Sequence, residues 1–212
     1  MEVILYILFL LAITIFCLGI IGIVVFVLIR ESKKVAAENA AKEKAIREEE
    51  ADFQNSKNEF LAGIEKWEKN GVPVIAVKDK VINQYNDVYF IGENFYLKSL
   101  KSNNLTKGTL MFVNKEICFL SDTLVRDIPH SQILKVDLGP FEIKFTSKKY
   151  QTPLSFLCIT DNHYKDRLEV CEAYARWYLI NGFSSKDFLP DLVAVLNMPK
   201  PNFQKVVINK TE

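Results

Sequence analysis

The sequence predicts an α+β protein in which two helical segments precede seven antiparallel strands and a C-terminal helix. Three observations predict this class. Residues 3–29 form an uncharged apolar run, and a segment rich in alanine and charge follows it. From Gly71 onward, short β-branched and aromatic runs alternate with turn signals. At 212 residues, the chain has room for one ordinary domain beside these helices.

Residues 1–29 predict a single transmembrane anchor. About 20 apolar residues span a hydrocarbon core of about 30 Å, and this run is longer. Arg30, Lys33 and Lys34 follow it, and basic flanks stay on the cytoplasmic side. We therefore expect a single-pass protein of the cell (plasma or inner) membrane, with its N-terminus outside and its C-terminal domain cytoplasmic. The alternative, a cleavable signal peptide, is disfavoured because no basic segment precedes the run and no small-residue cleavage site follows it.

Residues 30–70 predict a long charged helical stalk. Between residues 30 and 69 there are nine Lys or Arg, ten Asp or Glu and no Pro, and Asn70-Gly71 is a helix stop signal. Four apolar residues spaced seven apart predict a coiled coil and a homo-oligomer through the stalk: Ile46, Phe53, Phe60 and Trp67. The second apolar position that each repeat of a coiled coil needs is poorly filled. A helix that packs Phe60, Leu61, Ile64 and Trp67 onto its own domain is therefore the alternative.

Residues 71–183 predict one β-rich domain. Residues 72–77 form an extended lead-in. In the run 141–147, residues that face one side of the strand alternate with residues that face the other. Short breaks between the runs predict hairpins. The helical spacing of apolar residues predicts a helix over 165–180. The seven predicted strands are 94–100, 108–113, 116–121, 124–128, 131–138, 141–147 and 150–160.

Residues 184–212 predict a short helix and a tail. Ser184 or Ser185 is placed to cap the helix, and Asn197 precedes Pro199 at its end. Its apolar residues favour packing on the domain, with docking to a partner as the alternative.

The strand order and two local motifs resemble the pleckstrin-homology-like superfold, in particular its GRAM and bacterial PH-domain branches. The first motif is the run GTLMFVNKEICFL from Gly108, and the second is Ile128-Pro129 followed by Ile133 and Val136. The resemblance covers about residues 87–180. It implies a seven-stranded antiparallel barrel or sandwich closed by a C-terminal helix.

The resemblance also implies where an anionic lipid would bind, which is the loop after the first strand. Lys98, Lys101 and Lys107 lie in or beside this loop, and Lys148 and Lys149 form another hairpin tip. No Arg lies in the first loop, although bidentate phosphate recognition favours Arg. These five lysines are candidate lipid or partner contacts, with ordinary surface lysines as the alternative.

Residues that would support catalysis are scarce. His130 and His163 are the two histidines, no Cys-x-x-Cys or His-x-x-x-His pair occurs, and no Gly-rich phosphate loop is present. We expect no enzyme activity, no metal and no cofactor. We assign Asp161, Asp166, Glu169 and Glu172 to the negative charge that suits a helix N-terminus. From Gly71 onward, 18 basic and 15 acidic residues are too balanced for nucleic-acid binding.

These observations predict a membrane-tethered, non-enzymatic interaction module. It presents its domain at the cytoplasmic face to a protein partner or a lipid head group. Because the anchor already supplies the membrane, a protein partner is favoured. The alternative is a structural subunit of an envelope or secretion-type complex.

Overall fold

The computed structural model describes the backbone of residues 2–77, 85, 87–99 and 104–199. The side chains of residues 2–18, 20–25 and 27 lie outside the described part. The chain divides into two compact units, Met1–Asp52 and Phe53–Glu212.

The first unit is helical throughout its described backbone. Helix α1 runs from Glu2 to Asn70, so one continuous helix covers both the predicted anchor and the predicted stalk. Among the described residues, no helix combines the length and apolar character that a membrane crossing needs. Most side chains of the predicted span 1–29 lie outside the residues described. Ile46, the first residue of the predicted stripe, is 53% exposed.

The described part of the second unit contains seven antiparallel strands, in the predicted order. The sequence places the start of the first strand at residue 94, and that start is wrong. Glycine is depleted in strands, but pairing with the second strand extends the first strand through Gly92 back to Val88, with a bulge between Gly92 and Phe95. The strands are β1 Val88–Lys98, β2 Leu105–Val113, β3 Glu116–Leu120, β4 Val125–Pro129, β5 Ile133–Leu138, β6 Glu142–Ser147 and β7 Leu154–Cys158.

All seven strands belong to one sheet with the order β4-β3-β2-β1-β7-β6-β5. The sheet folds over, because rings from its first half pack against rings from its second half. Phe112 of β2 meets Phe145 of β6 with ring centroids 6.1 Å apart, and Phe119 of β3 meets Phe156 of β7 at 5.4 Å. This arrangement, with the helices that follow it, fits a pleckstrin-homology-like fold.

Two helices close the domain. Helix α2 spans His163–Ile180, and Asn162 caps it by accepting a hydrogen bond from the backbone N–H of Lys165. Helix α3 spans Ser185–Leu196 and begins with a capping box formed by Ser184 and Asp187. Phe188 and Leu192 are fully buried in the main core. Helix α3 therefore packs on the domain, as the apolar density of its sequence favoured.

The end of α1 belongs to the same core. Phe53 is 5% exposed and stacks on Tyr164 at 4.4 Å, while Ile64 is 1% exposed. Phe60 and Trp67 are half-buried against the core. Three of the four stripe residues thus pack within the chain, which is the alternative that the sequence left open. The compact unit begins before the predicted boundary at residue 71, and the oligomer seam stays a prediction.

A buried arginine fixes the end of α3. The guanidinium of Arg167 donates hydrogen bonds to the backbone oxygens of Met198 and Pro199, the latter at 3.2 Å. It lies 5.9 Å from the ring centre of Phe53. Burial lowers the pKa of Arg167. Carbonyl oxygens just beyond a helix C-terminus carry partial negative charge, which suits a buried cation.

The ring cluster at the fold of the sheet should dominate stability. We expect Phe145→Ala to lower the free energy of unfolding by about 3–5 kcal/mol, because it removes a fully buried ring and leaves a cavity. Urea denaturation can be followed through Trp67 and Trp177, which both lie in this unit. Val125→Ala, at a residue that is 60% exposed, is the control and should change the value by less than about 0.5 kcal/mol. Equal effects of the two variants would contradict the assignment.

Glu68, near the end of α1, binds the start of α3. Its carboxylate accepts hydrogen bonds from the Ser185 hydroxyl at 2.6 Å, the Ser185 backbone N–H at 2.8 Å and the Ser184 hydroxyl at 2.9 Å. These bonds, with that of the Ser185 hydroxyl the largest cause, hold the pKa of Glu68 below its ordinary value.

We expect Glu68→Gln to destabilise the domain at neutral pH and to lose this effect in acid. A lowered folded-state pKa means that the carboxylate stabilises the fold fully above its unfolded pKa, and that this contribution is lost as the pH falls through the folded pKa. The measurement is the free energy of unfolding of both chains from pH 7 down to about pH 3. Glu65→Gln on the same helix is the control. A difference between the wild-type chain and the Glu68→Gln variant that does not shrink in acid would contradict the prediction.

Candidate binding groove beside strand β1

Strand β1 has an edge that is only partly paired. Along its length it pairs with β2, but β7 pairs with it only from Phe95 to Lys98. Before this point, the described residues outside β2 donate three hydrogen bonds to the backbone oxygens of β1: the N–H of Ile75 donates to Val88 O at 2.7 Å, the guanidinium of Arg176 to Tyr89 O at 2.7 Å, and the N–H of Ile159 to Asn94 O at 3.4 Å. The stretch between Val88 and Asn94 therefore has no strand beside it on the β7 side within the described chain.

A groove of about 560 Å³ lies at this edge. Its walls come from three elements: the lead-in to the sheet, the first half of β1 and the first half of α2. Its volume is within the range of pockets that hold a drug-sized molecule. The lining residues are Ile75, Phe90, Ile91, Glu93, Asn94, Lys165, Leu168, Glu169 and Glu172.

Helix α2 is held beside this edge by Arg176. Its guanidinium donates to Tyr89 O at 2.7 Å and to the carboxylate of Glu172 at 2.7 Å, and it lies 4.3 Å from the ring centre of Trp67. Gly92 allows the close approach of the helix. A β-carbon at this position would lie 3.1 Å from the Glu169 carboxylate and would clash with the Phe95 ring.

The groove is acidic. It contains three carboxylates and one ammonium, and one of the carboxylates, Glu172, is neutralised by Arg176. Glu169 is half-buried, and its hydrogen-bond donor among the described residues is the thiol of Cys158 at 3.5 Å. Burial raises the pKa of Glu169, while the Cys158 thiol and Lys165 act in the opposite direction. A thiol is a weak donor, so Glu169 retains acceptor capacity towards the groove.

Four of the predicted lysines lie on another part of the domain, and Lys101 lies outside the described residues. Lys98 ends β1 and pairs with Leu105 of β2, and Lys107 follows on β2. Lys148 and Lys149 lie in the turn between β6 and β7. Because Ser155, just beyond this turn, pairs with Lys98, the antiparallel pairing brings all four to the same end of the sheet.

Lys149 has a partner at that end. Its ammonium forms an ion pair with Asp127 of β4, whose backbone oxygen also accepts the Tyr150 hydroxyl at 3.2 Å. The hydrogen bond with Asp127 raises the pKa of Lys149. Part of the charge that a lipid head group would use is thus neutralised, and the lipid role of these lysines stays a prediction.

The two histidines lie apart from the groove's lining. His130 Nε2 is 2.9 Å from Val113 O, and burial lowers its pKa. His163 lies in the first turn of α2, with Nδ1 4.0 Å from Asp166. In the part of the chain that the structure describes, no group of three or more His, Cys, Asp or Glu side chains is arranged to hold a metal ion.

The acidic residues of α2 have roles that sequence reasoning missed. Asp166 is buried and accepts the Thr160 backbone N–H at 2.9 Å and the Thr160 hydroxyl at 2.6 Å. Glu169 and Glu172 line the groove rather than only adding charge to a helix start. One signal in the sequence could have indicated the groove: a glycine within a strand, here Gly92, marks the close approach of another element. This signal can be recognised only when β1 is known to begin before Gly92.

Comparison with known proteins does not identify a family for this chain. No family model matches the chain, and no curated protein matches it. Solved structures that match include one of Vav1 inhibited by an allosteric inhibitor, at 12% identity and a TM-score of 0.30, covering 57% of this chain and 34% of that one. Another addresses the PH and C1 domains of the Vav1 exchange factor, at 13% identity and a TM-score of 0.30, covering 56% of this chain and 32% of that one. The chain spans about a third of these Vav1 chains. Likeness at this TM-score carries no argument.

The three described cysteines should be unreactive in the folded chain. Burial raises the pKa of Cys118 and of Cys171 to about 12 each, and it raises the pKa of Cys158 further, assisted by Glu169 and Asp166. Because the thiolate is the nucleophile, we expect alkylation of these residues at pH 8 to be at least about tenfold slower in the native chain than in urea. Mass spectrometry of the labelled peptides measures each rate. Rapid native labelling of Cys158 would contradict the buried, protonated thiol.

Proposed function

We propose that the chain is a membrane-tethered protein-interaction module and that the groove beside β1 holds its partner. The observation that carries the proposal is the stretch of β1 between Val88 and Asn94, which has no strand on its β7 side among the described residues and forms one wall of the groove. An unpaired strand edge offers backbone donors and acceptors that an extended partner segment satisfies. Non-enzymatic binding is the simplest use of such a site.

The tethering rests on the sequence. The uncharged run 3–29 and the basic residues Arg30, Lys33 and Lys34 support an anchor whose C-terminal side faces the cytoplasm. An anchored domain does not need a lipid site for localisation, so the groove is better explained by a protein partner than by a head group. The basic residues that follow the run also support a domain at the cytoplasmic face of the cell membrane.

A site-specific crosslinking experiment tests the proposal. A photoreactive amino acid is placed in the full chain, in its native membranes, at Glu93 or Lys165, which are exposed residues on opposite walls of the groove. We expect both positions to give the same discrete protein adduct. Lys148 and Lys186, exposed residues outside the groove, are the controls.

The pattern of adducts decides between the candidates. An adduct shared by the two groove positions and absent at the controls supports the proposal. Protein adducts from Lys148 with none from the groove would overturn it, as would crosslinks from Lys148 to anionic lipid alone. In the last case, the predicted lysine end of the sheet is the binding site.

A further inference from the structure

We infer that the groove beside β1 takes an extended peptide segment that carries a lysine or arginine side chain. The inference rests on the proposed function and names the chemistry of the partner. Two properties of the groove point to it independently: the backbone edge of β1 and the carboxylates of Glu93 and Glu169, which have no ion-pair partner within 4.0 Å among the described residues.

The backbone edge selects an extended segment. Strands pair at about 4.8 Å, and β7 supplies this neighbour only from Phe95 onward. The lead-in reaches the beginning of the open stretch through the bond from Ile75 to Val88 O and does not pair along it. A strand laid beside residues 90–93 would continue the line of β7, between Tyr89 O, which accepts from Arg176, and Asn94 O, which accepts from Ile159.

The side chains of the groove select a cation. Glu169 and Glu93 both line it, and neither has an ion-pair partner within 4.0 Å in the described chain. Glu169 is half-buried at the base beside Gly92, whereas Glu93 is exposed at the rim. An ammonium or guanidinium group would satisfy the acceptor capacity of Glu169 through charge-assisted hydrogen bonds.

Much of the remaining lining of the groove is apolar. Ile75, Ile91 and Leu168 line the groove and are half-buried rather than exposed. Side chains of an added strand alternate between its two faces, so one face would contact these residues while residues of the other face remain in solvent. The expected ligand is thus an alternating apolar and polar segment with a basic residue.

The test begins with a display library of random ten-residue peptides, selected on the full chain in mild detergent. We expect the selected peptides to share one Lys or Arg at a fixed distance from apolar residues at alternate positions. Photocrosslinking from Lys165 identifies the peptides that bind in the groove. The dissociation constant of the best groove peptide is then measured on variants of the chain.

Glu169→Gln should weaken binding by about tenfold or more, since it removes the charge while preserving the shape of the side chain. Glu65→Gln is the matched control: it removes the same charge from an exposed residue of α1 that is not in the groove's lining, and it should leave the affinity unchanged. Replacing the basic residue of the peptide with norleucine should reproduce the loss. The Glu169→Gln variant should then show no further loss with the norleucine peptide.

The backbone contact is tested on the peptide, where folding of the protein is not affected. Single N-methylation along the peptide should reduce binding at alternate positions, because successive N–H groups of a strand point to opposite sides. Equal loss at every position, or none, would overturn the added strand.

The outcomes separate the inference from the proposed function. Groove peptides without a basic residue, or with an affinity that Glu169→Gln does not change, overturn the inference and leave the interaction module standing. No peptide and no protein adduct in the groove overturns both. Binding that requires removal of residues 200–212 would identify the chain's own C-terminal segment as the occupant, and it would overturn an external partner.

Discussion

The domain depends on how strand β1 is shared between the two halves of its sheet. β1 pairs with β2 along its length but with β7 only from Phe95 to Lys98. The limited second pairing lets the sheet fold over, so that Phe112 and Phe119 meet Phe145 and Phe156 across the core. The same limitation leaves the first half of β1 without a strand on its β7 side among the described residues. The core and the open edge therefore have one common cause.

Helix α2 lies beside the open edge of β1 and forms one wall of the groove there. An unpaired strand edge in solvent invites association with other edges, and natural proteins cover or charge such edges. Here Arg176 fixes α2 to β1 through Tyr89 O, and the helix places Glu169 beside Gly92. The carboxylates then restrict what can pair with the edge. In the proposed peptide site, charge would give the groove its selectivity, while the backbone and the apolar wall would provide contact area.

The end of α1 shows how one apolar stripe serves intramolecular packing. Phe53 and Trp67 belong to a seven-residue repeat of the kind that is typical of coiled coils, yet both pack on the domain. Phe53 stacks on Tyr164, and Trp67 lies under Arg176, which also holds α2. The helix that leads into the domain is thus joined to the helix that forms the groove wall. A change at Trp67 would act on the groove through Arg176.

The sequence alone determined the kinds of elements and their order, because hydrophobic period and turn residues are local properties. Seven strands, two closing helices, the capping serine of α3 and the stop at Gly71 all follow from neighbours in the chain. Only the tertiary structure decided where β1 begins, since pairing with β2 overrides the low strand propensity of Gly92. It also decided which carboxylates face one groove. Glu93 and Glu169 are far apart in sequence, and their meeting depends on the fold of the sheet and the position of α2.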